Sequence, residues 1–223
     1  MLAKGLKKEF YDHLYSVDDL TYERPSTSPY YPMYKEACRA VLRERPSSIL
    51  EVGCGSGVLG EMLIRAGVSY TGFDFSSTAV GKAKLRSPGG DFYIGDATDA
   101  AAYDRTYDGI VCCEVLEHID ADLKAVELWK SGAICICSVP NFDGEHHVRY
   151  FRSEEEIVER YGGLLDIRAV ARIAKSARAN LTKAEYFRRI RWARSEPRRL
   201  LGILGINAFD WYAGWFVFVA RRR

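Results

Sequence analysis

Carboxylate and imidazole side chains are concentrated in two short stretches of this sequence. Glu114, Glu117 and His118 lie close together, and His146 and His147 follow in a second stretch. An imidazole can remove a proton from an acceptor group near neutral pH. Two carboxylates and two imidazoles can also bind a divalent metal ion and leave positions open for a substrate. The two stretches therefore predict a site for proton transfer or for metal binding.

A third stretch with a distinctive spacing reads ILEVGCGSGVLGEML, from Ile49 to Leu63, and holds three glycines at alternate positions. A phosphate-binding loop would need a lysine and a hydroxyl residue after the last glycine, whereas Gly57 is followed by valine and leucine. A dinucleotide fingerprint would space its glycines G-x-G-x-x-G. Because Glu51 precedes the glycines, the pattern favours a nucleotide that carries a positively charged group.

The elements that position these residues follow from an alternation of apolar runs and helical periodicity. Near-continuous runs of valine, isoleucine and cysteine predict buried parallel strands, and such sheets bind ligands at the carboxyl ends of their strands. The predicted strands are Ser48–Val52, Ser69–Phe73, Phe92–Ile94, Gly109–Cys113, Ala133–Val139, Leu164–Ile173 and Trp211–Ala220. The predicted helices are Met33–Glu44, Val58–Ala66, Thr78–Leu85, Ala121–Lys130 and Ser153–Tyr161.

The glycine stretch LEVGCGSG resembles the first motif of class I S-adenosylmethionine-dependent methyltransferases. The resemblance continues in order through YTGFDFS, FYIGDATD, YDGIVCCEVLEHI and GAICICSVPNF, and it spans Ile49 to Phe142. Five motifs in the family's order are far more specific than a single glycine turn. The resemblance implies an α/β fold, with a Rossmann-like seven-stranded, mostly parallel sheet covered by helices on both faces. It also implies S-adenosylmethionine as the cofactor.

The same resemblance implies a set of cofactor contacts. Asp74, at the end of the second strand, corresponds to the acid that binds the ribose hydroxyls, and Asp96 corresponds to the adenine contact. The Ala97 backbone can donate to the adenine ring, Phe75 can lie against its face, and Glu51 can favour the cofactor's ammonium group. For the two aspartates, capping of a turn is the alternative role. The full predicted set is Tyr30, Glu51, Gly53, Cys54, Gly55, Asp74, Phe75, Asp96, Ala97 and Cys113.

The acceptor is predicted to lie against the loops after the fourth and fifth strands. The pattern E-x-x-E-H with a later histidine is similar to the metal-dependent branch of the family, which includes small-RNA 3′-end 2′-O-methyltransferases and ubiquinone-pathway O-methyltransferases. Metal-free members of the family also carry this residue pattern, and in that case Glu114 would line the pocket and His118 would cap the following helix. We rank a histidine base first, with His146, His147 and Glu114 as the catalytic candidates and no metal ion.

The N-terminal segment, residues 1–46, is predicted to be a helical lid on a methyltransferase domain at residues 47–223, within one structural domain. Three prolines predict a loop from Thr21 to Pro32 between two helical pieces. Aromatic residues on a mobile loop suit a lid over a planar or amphipathic acceptor, and Tyr30 and Tyr31 are the candidates. Packing of these rings between a helix and the sheet is the alternative.

Composition argues against some classes of function and leaves others open. A net charge of +2 over 223 residues does not by itself indicate a nucleic-acid partner. Four of the six cysteines lie within apolar runs, which predicts buried thiols instead of a disulfide framework. The first residues lack the apolar run of a signal peptide. We therefore expect a cytoplasmic protein.

Two segments near the C-terminal end test that expectation. Leu200–Ala220 has the length of a membrane span, but Asp210 near its middle favours a turn and then a buried strand. Residues 168–199 carry eleven lysines and arginines against two acids, which predicts a basic helical insertion before the last strand. The insertion is a solvated face, a platform for a phosphate-bearing acceptor such as RNA, or a membrane-surface patch for a lipid-like acceptor.

Methyl transfer to an oxygen atom of a small-molecule acceptor is the first functional hypothesis. The alternative is a metal-dependent RNA 2′-O-methyltransferase that uses Glu114, Glu117, His118 and a later histidine. The third hypothesis is a non-catalytic scaffold that has kept the cofactor pocket for a protein partner. Salt-dependent RNA binding would favour the second, and cofactor binding without turnover would favour the third.

Overall fold

The computed structural model describes residues 8–17, 24–144, 146–175, 209 and 213–223. The α-helices within these residues are Lys8–Val17 (α1), Tyr31–Glu44 (α2), Val58–Arg65 (α3), Ser77–Arg86 (α4), Asp122–Glu127 (α5) and Glu154–Tyr161 (α6). Short 3-10 turns lie at Pro25–Thr27 and Ala100–Tyr103. The strands are Ile49–Val52 (β1), Tyr70–Asp74 (β2), Asp91–Ile94 (β3), Gly109–Cys112 (β4), Ile134–Pro140 (β5), Leu165–Ala174 (β6) and Gly214–Arg222 (β7).

The strands form one seven-stranded sheet in the order β3-β2-β1-β4-β5-β7-β6. The neighbours from β3 to β5 pair in parallel, and β7 pairs antiparallel with both β5 and β6. The strand order reverses between β1 and β4, so the carboxyl ends of β1, β2 and β4 border the crevice in which such sheets bind ligands. The predicted mostly parallel, Rossmann-like sheet is confirmed.

Two buried apolar clusters cover the two faces of the sheet. One contains residues of α2, α3 and α4, and the other contains residues of α5 and α6. Ile49 and Leu50, adjacent in β1, belong to different clusters, as expected for a strand covered on both sides. Met33 and Ala37 of α2 are fully buried. Helix α2, which falls in the predicted N-terminal lid segment, is therefore part of the core.

Polar residues and proline set the starts of the helices near the crevice. The Ser76 hydroxyl accepts a hydrogen bond from the Ala79 amide at the start of α4, which satisfies one of the free donors of that helix. Pro32 lies in the first turn of α2, where its missing amide proton would have had no helical partner. The predicted loop from Thr21 to Pro32 therefore ends earlier than the proline pattern indicates, because α2 already begins at Tyr31.

The C-terminal predictions are tested only in part. Strand β7 lies within and just beyond the predicted strand Trp211–Ala220, and residues 168–174 of the basic segment belong to β6. The remaining predicted basic helix, residues 176–199, lies outside the described residues. In the part of the chain that the structure describes, no helix is long and apolar enough to cross a membrane. All six cysteines are buried free thiols, as predicted for those in apolar runs.

Candidate active site

Two adjoining cavities open at the carboxyl ends of β1, β2 and β4. Gly53, Glu114 and His118 line both of them. The first is also lined by Asp74, Phe75, Asp96 and Ala97, and the second by Tyr30, Glu51, Cys54, Gly55, Cys113, His146 and His147. Every residue of the predicted cofactor and catalytic sets therefore lines one cavity or the other.

The loop after β1 requires glycine for both conformation and space. Gly53 has a φ of 68°, in the left-handed region that favours glycine. A Cβ atom at this position would stand 2.4 Å from Cγ2 of Val115, which is closer than real side chains approach. The loop backbone thus packs directly against the turn that follows β4, where the two cavities meet.

Asp74 ends β2 and is almost fully buried. Its Oδ2 accepts a hydrogen bond from the Gly55 amide at 2.9 Å, and its Oδ1 accepts one from the Ser76 amide at 2.9 Å. Burial raises the pKa of this carboxyl to about 6, although the backbone donors lower it. Each carboxylate oxygen has more than one lone pair, so the side chain can cap the turn and still accept from a diol.

Asp96 and Ala97 follow β3 and line the same cavity as Asp74. Asp96 is exposed, and its Oδ1 accepts hydrogen bonds from the amide and the hydroxyl of Thr98 at 2.7 and 2.8 Å. The alternative turn-capping role is thus present here as well. The ring of Phe75, on the same cavity, lies 5.0 Å from the ring of Tyr11 in an edge-on arrangement. The adenine contacts of these residues remain predictions.

Glu51, within β1, is 3% exposed and accepts a hydrogen bond from the hydroxyl of Tyr70. Burial raises the pKa of Glu51 to about 8, although the Tyr70 hydrogen bond lowers it. Without a bound cation, the carboxyl therefore favours its protonated form at neutral pH. Its predicted attraction for the cofactor's ammonium group requires that the ammonium itself stabilise the carboxylate.

Helix α1 contributes to both cavities, and its residues are not in the set predicted from the sequence. Tyr11 and Tyr15 line both cavities. Oδ1 of Asp12 accepts hydrogen bonds from the hydroxyl of Ser76 at 2.5 Å and from the amide of Thr78 at 3.3 Å. These contacts fasten α1 to the start of α4, directly beside the Asp74 turn.

The predicted lid residues are divided between two positions. Tyr30 lines the second cavity, whereas Tyr31 begins α2 and is not among the residues that line the two cavities. The amphipathic run KEFYDHLYSV of α1 was the available sequence signal for the additional cover.

Replacing Asp12 with alanine is expected to weaken cofactor binding about fivefold, because loss of a capping contact costs about 1 kcal/mol. Calorimetric titration with S-adenosylmethionine measures the effect. His13→Ala is the matched control, since His13 is exposed on the same helix. Equal affinities for the two variants would show that the Asp12 contacts do not hold α1 over the cofactor.

One carboxyl group and two imidazoles meet in an acid–imidazole cluster of Glu117, His118 and His147. One ligand atom from each lies within 4.8 Å of the others, and the two ring centroids are 5.0 Å apart. Glu117 and His118 belong to the turn after β4, and His147 belongs to the loop after β5. Because β4 and β5 pair in parallel, the two stretches meet at the same edge of the sheet.

Both imidazoles of the cluster are held in one tautomer. Nδ1 of His118 lies 3.0 Å from the carbonyl oxygen of His146, and Nδ1 of His147 lies 3.2 Å from that of Phe142. A carbonyl only accepts, so each Nδ1 donates and each Nε2 keeps a lone pair. Burial lowers the pKa of His118 to about 4 and lowers the pKa of His147 below its ordinary value. Both rings are therefore neutral near pH 7.

Three carboxyl oxygens of the two glutamates in the turn after β4 are buried without matching donors. Both carboxyl oxygens of Glu117, and Oε1 of Glu114, lack a hydrogen-bond partner within the described residues. Burial raises the pKa of Glu114 to about 7, and burial together with Glu114 raises the pKa of Glu117 well above its usual range. Glu114 also has a φ of 59°, which is uncommon for a residue with a side chain. The site therefore has a place for a proton or a cation.

His146 stands apart from the acid–imidazole cluster. It lines the second cavity, and its ring centroid lies 4.7 Å from that of Phe10 in α1. Its carbonyl group, and not its ring, contacts His118. Of the two adjacent histidines predicted as the base, only His147 belongs to the cluster.

Comparison with known sequences identifies related proteins. A profile of the family described as "Methyltransferase domain" matches residues 32–194. The ubiquinone biosynthesis O-methyltransferase of Proteus mirabilis is 38% identical over 76 residues, covering 32% of this chain and 31% of that protein. The protein of the same name from Escherichia coli O127:H6 is 32% identical over 106 residues, 44% of each chain. The chain thus spans less than half the length of these curated relatives.

Solved structures extend the likeness to nearly the whole fold. One of them is the N-methyltransferase NodS from Bradyrhizobium japonicum WM9 in complex with S-adenosyl-L-homocysteine. Its superposition on this chain has a TM-score of 0.64 at 15% identity, and the aligned part covers 96% of this chain and 97% of the NodS chain. Magnesium protoporphyrin IX methyltransferase (ChlM) from Synechocystis PCC 6803, with bound S-adenosylmethionine, has a TM-score of 0.62 at 15% identity over 99% of both chains. At these identities, the likeness shows a shared fold.

Proposed function

We propose that this chain, which belongs to the class I S-adenosylmethionine-dependent methyltransferase family, methylates an oxygen atom of a small-molecule acceptor. The observation that carries the proposal is the position of the cofactor cavity at Asp74, which adjoins the cavity beside the acid–imidazole cluster. The O-methyltransferase names of the curated relatives support oxygen as the atom methylated.

The chemistry of methyl transfer sets the requirements for the site. The bond from sulfur to the methyl carbon breaks with its electron pair passing to sulfur, a carbon–oxygen bond forms, and the acceptor hydroxyl loses its proton. The chain must therefore hold the sulfonium and the acceptor oxygen in line and keep water away. We assign the Gly53 loop and Asp74 to binding the cofactor and Tyr11 and Tyr15 of α1 to covering it, because all of them line the two cavities.

Activation of the acceptor hydroxyl is the task that the acid–imidazole cluster fits. The lone pairs on Nε2 of His118 and His147, and the carboxyl oxygens of Glu117 that lack partners, are suitable ligands for magnesium or manganese, with Glu114 beside them. A divalent ion held by these residues would bind the acceptor oxygen and lower the pKa of its hydroxyl. We place this route ahead of a histidine base acting alone, in the reverse of the order that the sequence favours.

Aromatic side chains indicate the class of acceptor. Tyr30, Tyr34 and Phe142 line the second cavity, and the ring of Trp215 lies 5.7 Å from that of Tyr30. The three rings that line the cavity suit a planar, hydroxylated acceptor whose hydroxyl group reaches the cluster, and the buried Trp215 supports Tyr30 from behind. A phosphate-bearing or lipid-like acceptor depends on residues 176–199, and it stays a prediction from the sequence.

Replacing Asp74 with alanine is expected to weaken S-adenosylmethionine binding by roughly 1–3 kcal/mol, because the ribose hydroxyls lose their acceptor. Calorimetric titration measures the change, and Asp91→Ala, at the exposed start of β3, is the matched control. Equal affinities for Asp74→Ala and the wild type would refute the ribose assignment. Binding of NAD as tight as that of S-adenosylmethionine would contradict the cofactor.

A transfer assay tests the reaction itself. Hydroxylated aromatic acceptors are incubated with the full chain, a divalent metal salt and S-adenosylmethionine labelled in its methyl group. Label in a methoxy group of the product is the expected result. Tight cofactor binding with no label transferred to any acceptor would favour the scaffold hypothesis.

A further inference from the structure

Arg149 joins the two loops that carry the acid–imidazole cluster. It lies in the loop between β5 and α6, and its side chain is 15% exposed. One terminal nitrogen donates to the carbonyl oxygens of Leu116 and Ile119, the latter at 2.5 Å. The other terminal nitrogen donates to the carbonyl oxygen of Asp120 at 3.1 Å. All three acceptors belong to the turn after β4, so one side chain binds the backbone on both sides of Glu117 and His118.

Two further contacts complete the connection between these loops. The Val148 amide donates to the carbonyl oxygen of Glu117 at 2.8 Å, and Nδ1 of His118 donates to the carbonyl oxygen of His146 at 3.0 Å. The separation of Glu117 from His147 is therefore set by contacts between the loops and not by sheet pairing alone. Arg149 supplies more of these contacts than any other side chain among the described residues.

We propose that Arg149 is a positioning residue that fixes the turn carrying Glu117 and His118 against the loop carrying His147. The proposal rests on the proposed function, in which these side chains activate the acceptor. A planar guanidinium presents its donors in a rigid fork, which matches several carbonyl oxygens at once. Lysine keeps the charge but has one compact ammonium group, so it loses the fork.

The guanidinium of Arg149 also forms an ion pair with an acid that has a second cationic partner. The ion pair is with Asp122, with a nitrogen–oxygen distance of 3.3 Å. Asp122 already receives two hydrogen bonds from Arg160, at 2.7 and 2.6 Å, and one from the Tyr161 hydroxyl at 2.8 Å. The Asp122 carboxylate therefore keeps a cationic partner without Arg149. The carbonyl oxygens of the turn after β4 depend on Arg149 much more directly.

The test compares Arg149→Lys with Arg160→Lys in the full chain. Both variants keep the charge, and both alter the ion pairs of Asp122, but only the first loses the fork on the turn after β4. The measurements are amide hydrogen exchange of Val148 by NMR and Mn²⁺ affinity by calorimetry. We expect Arg149→Lys to speed the exchange of Val148 at least several-fold and to weaken Mn²⁺ binding about 10–100-fold, as loss of an outer contact to a metal site does. Arg160→Lys should leave both close to the wild-type values.

The results distinguish failure of the positioning role of Arg149 from failure of the metal route in the proposed function. If Arg149→Lys matches the wild type in Val148 exchange, or if Arg160→Lys changes it equally, the positioning role is overturned. If the wild type binds no Mn²⁺, the metal route of the proposed function fails. In that case the positioning role is judged by Val148 exchange and by kcat for methyl transfer. A fall in kcat with an unchanged KM for S-adenosylmethionine would support it, and an unchanged kcat would overturn it.

Discussion

Removal of divalent metal ions with a chelator is expected to lower the rate of methyl transfer by roughly 10²–10⁴-fold, because a metal ion that stabilises the acceptor oxyanion contributes several kcal/mol. Manganese or magnesium in excess should restore the rate. The affinity for S-adenosylmethionine should change little, since His118 is the one cluster residue that also lines the cofactor cavity at Asp74, among the described residues. The measurement is the initial rate before chelation, after chelation and after metal is returned.

Variants of the cluster separate this metal route from a base acting alone. Glu117→Gln should be as damaging as His147→Ala, whereas His146→Ala should keep most of the rate, because only the backbone carbonyl of His146 contacts His118. Glu127→Gln, the same change at an exposed position, is the control. A rate that survives chelation and Glu117→Gln, but falls about 10²–10⁴-fold in His147→Ala, would contradict the metal route and support an imidazole base.

The position of the proposed cofactor residues could be predicted because these residues lie at strand ends. Asp74 ends β2, Gly53 follows β1 and Asp96 follows β3. In a parallel sheet the carboxyl ends of the strands lie at the same edge. Residues that follow successive strands in the sequence are therefore close together in the structure. The motif order and the apolar runs carried that information without any knowledge of side-chain packing.

The acid–imidazole cluster and the helix α1 that covers the cavities depend on contacts that residue types alone do not specify. The sequence shows two adjacent histidines, but only the fold of the loop after β5 decides that His147, and not His146, joins Glu117. Helix α1 is fastened by Asp12 to Ser76, 64 positions away in the sequence. Such a contact leaves no periodic signal, so the sequence indicates an N-terminal helical lid but not that Tyr11 and Tyr15 of α1 line the cavities.

The state of Glu51 could not be predicted for a related reason. On the sequence, an acid before a glycine loop indicates a negative charge near the ligand. Within the sheet, β2 and β4 flank this residue of β1 on both sides, and only Tyr70 offers it a hydrogen bond that the structure records. Burial therefore outweighs the hydrogen bond and favours the protonated carboxyl. The consequence is a dependence of stability on pH.

The free energy of unfolding of the cofactor-free protein is expected to fall between pH 6 and pH 8, and Glu51 is expected to cause about 2–3 kcal/mol of that fall. The pKa of Glu51 is raised to about 8 in the folded chain, against about 4.3 for an unperturbed glutamate. The folded state thus binds more protons than the unfolded state across this range, so stability is lost as the pH rises towards 8. Asp74, with a pKa of about 6, contributes mainly below that range.

Urea unfolding of Glu51→Gln and the wild type at pH 6, 7 and 8 isolates this contribution. Glutamine can still accept the hydrogen bond from Tyr70 but does not titrate, so the stability of the variant should fall less steeply with pH. The difference in slope should be close to 1.4 kcal/mol per pH unit near pH 6, which is the value for one proton, and about half of that at pH 8, where Glu51 is half titrated. Glu127→Gln, at an exposed site, should follow the wild type. Parallel curves for Glu51→Gln and the wild type would mean that Glu51 is already ionised at pH 6, and that burial does not govern its charge.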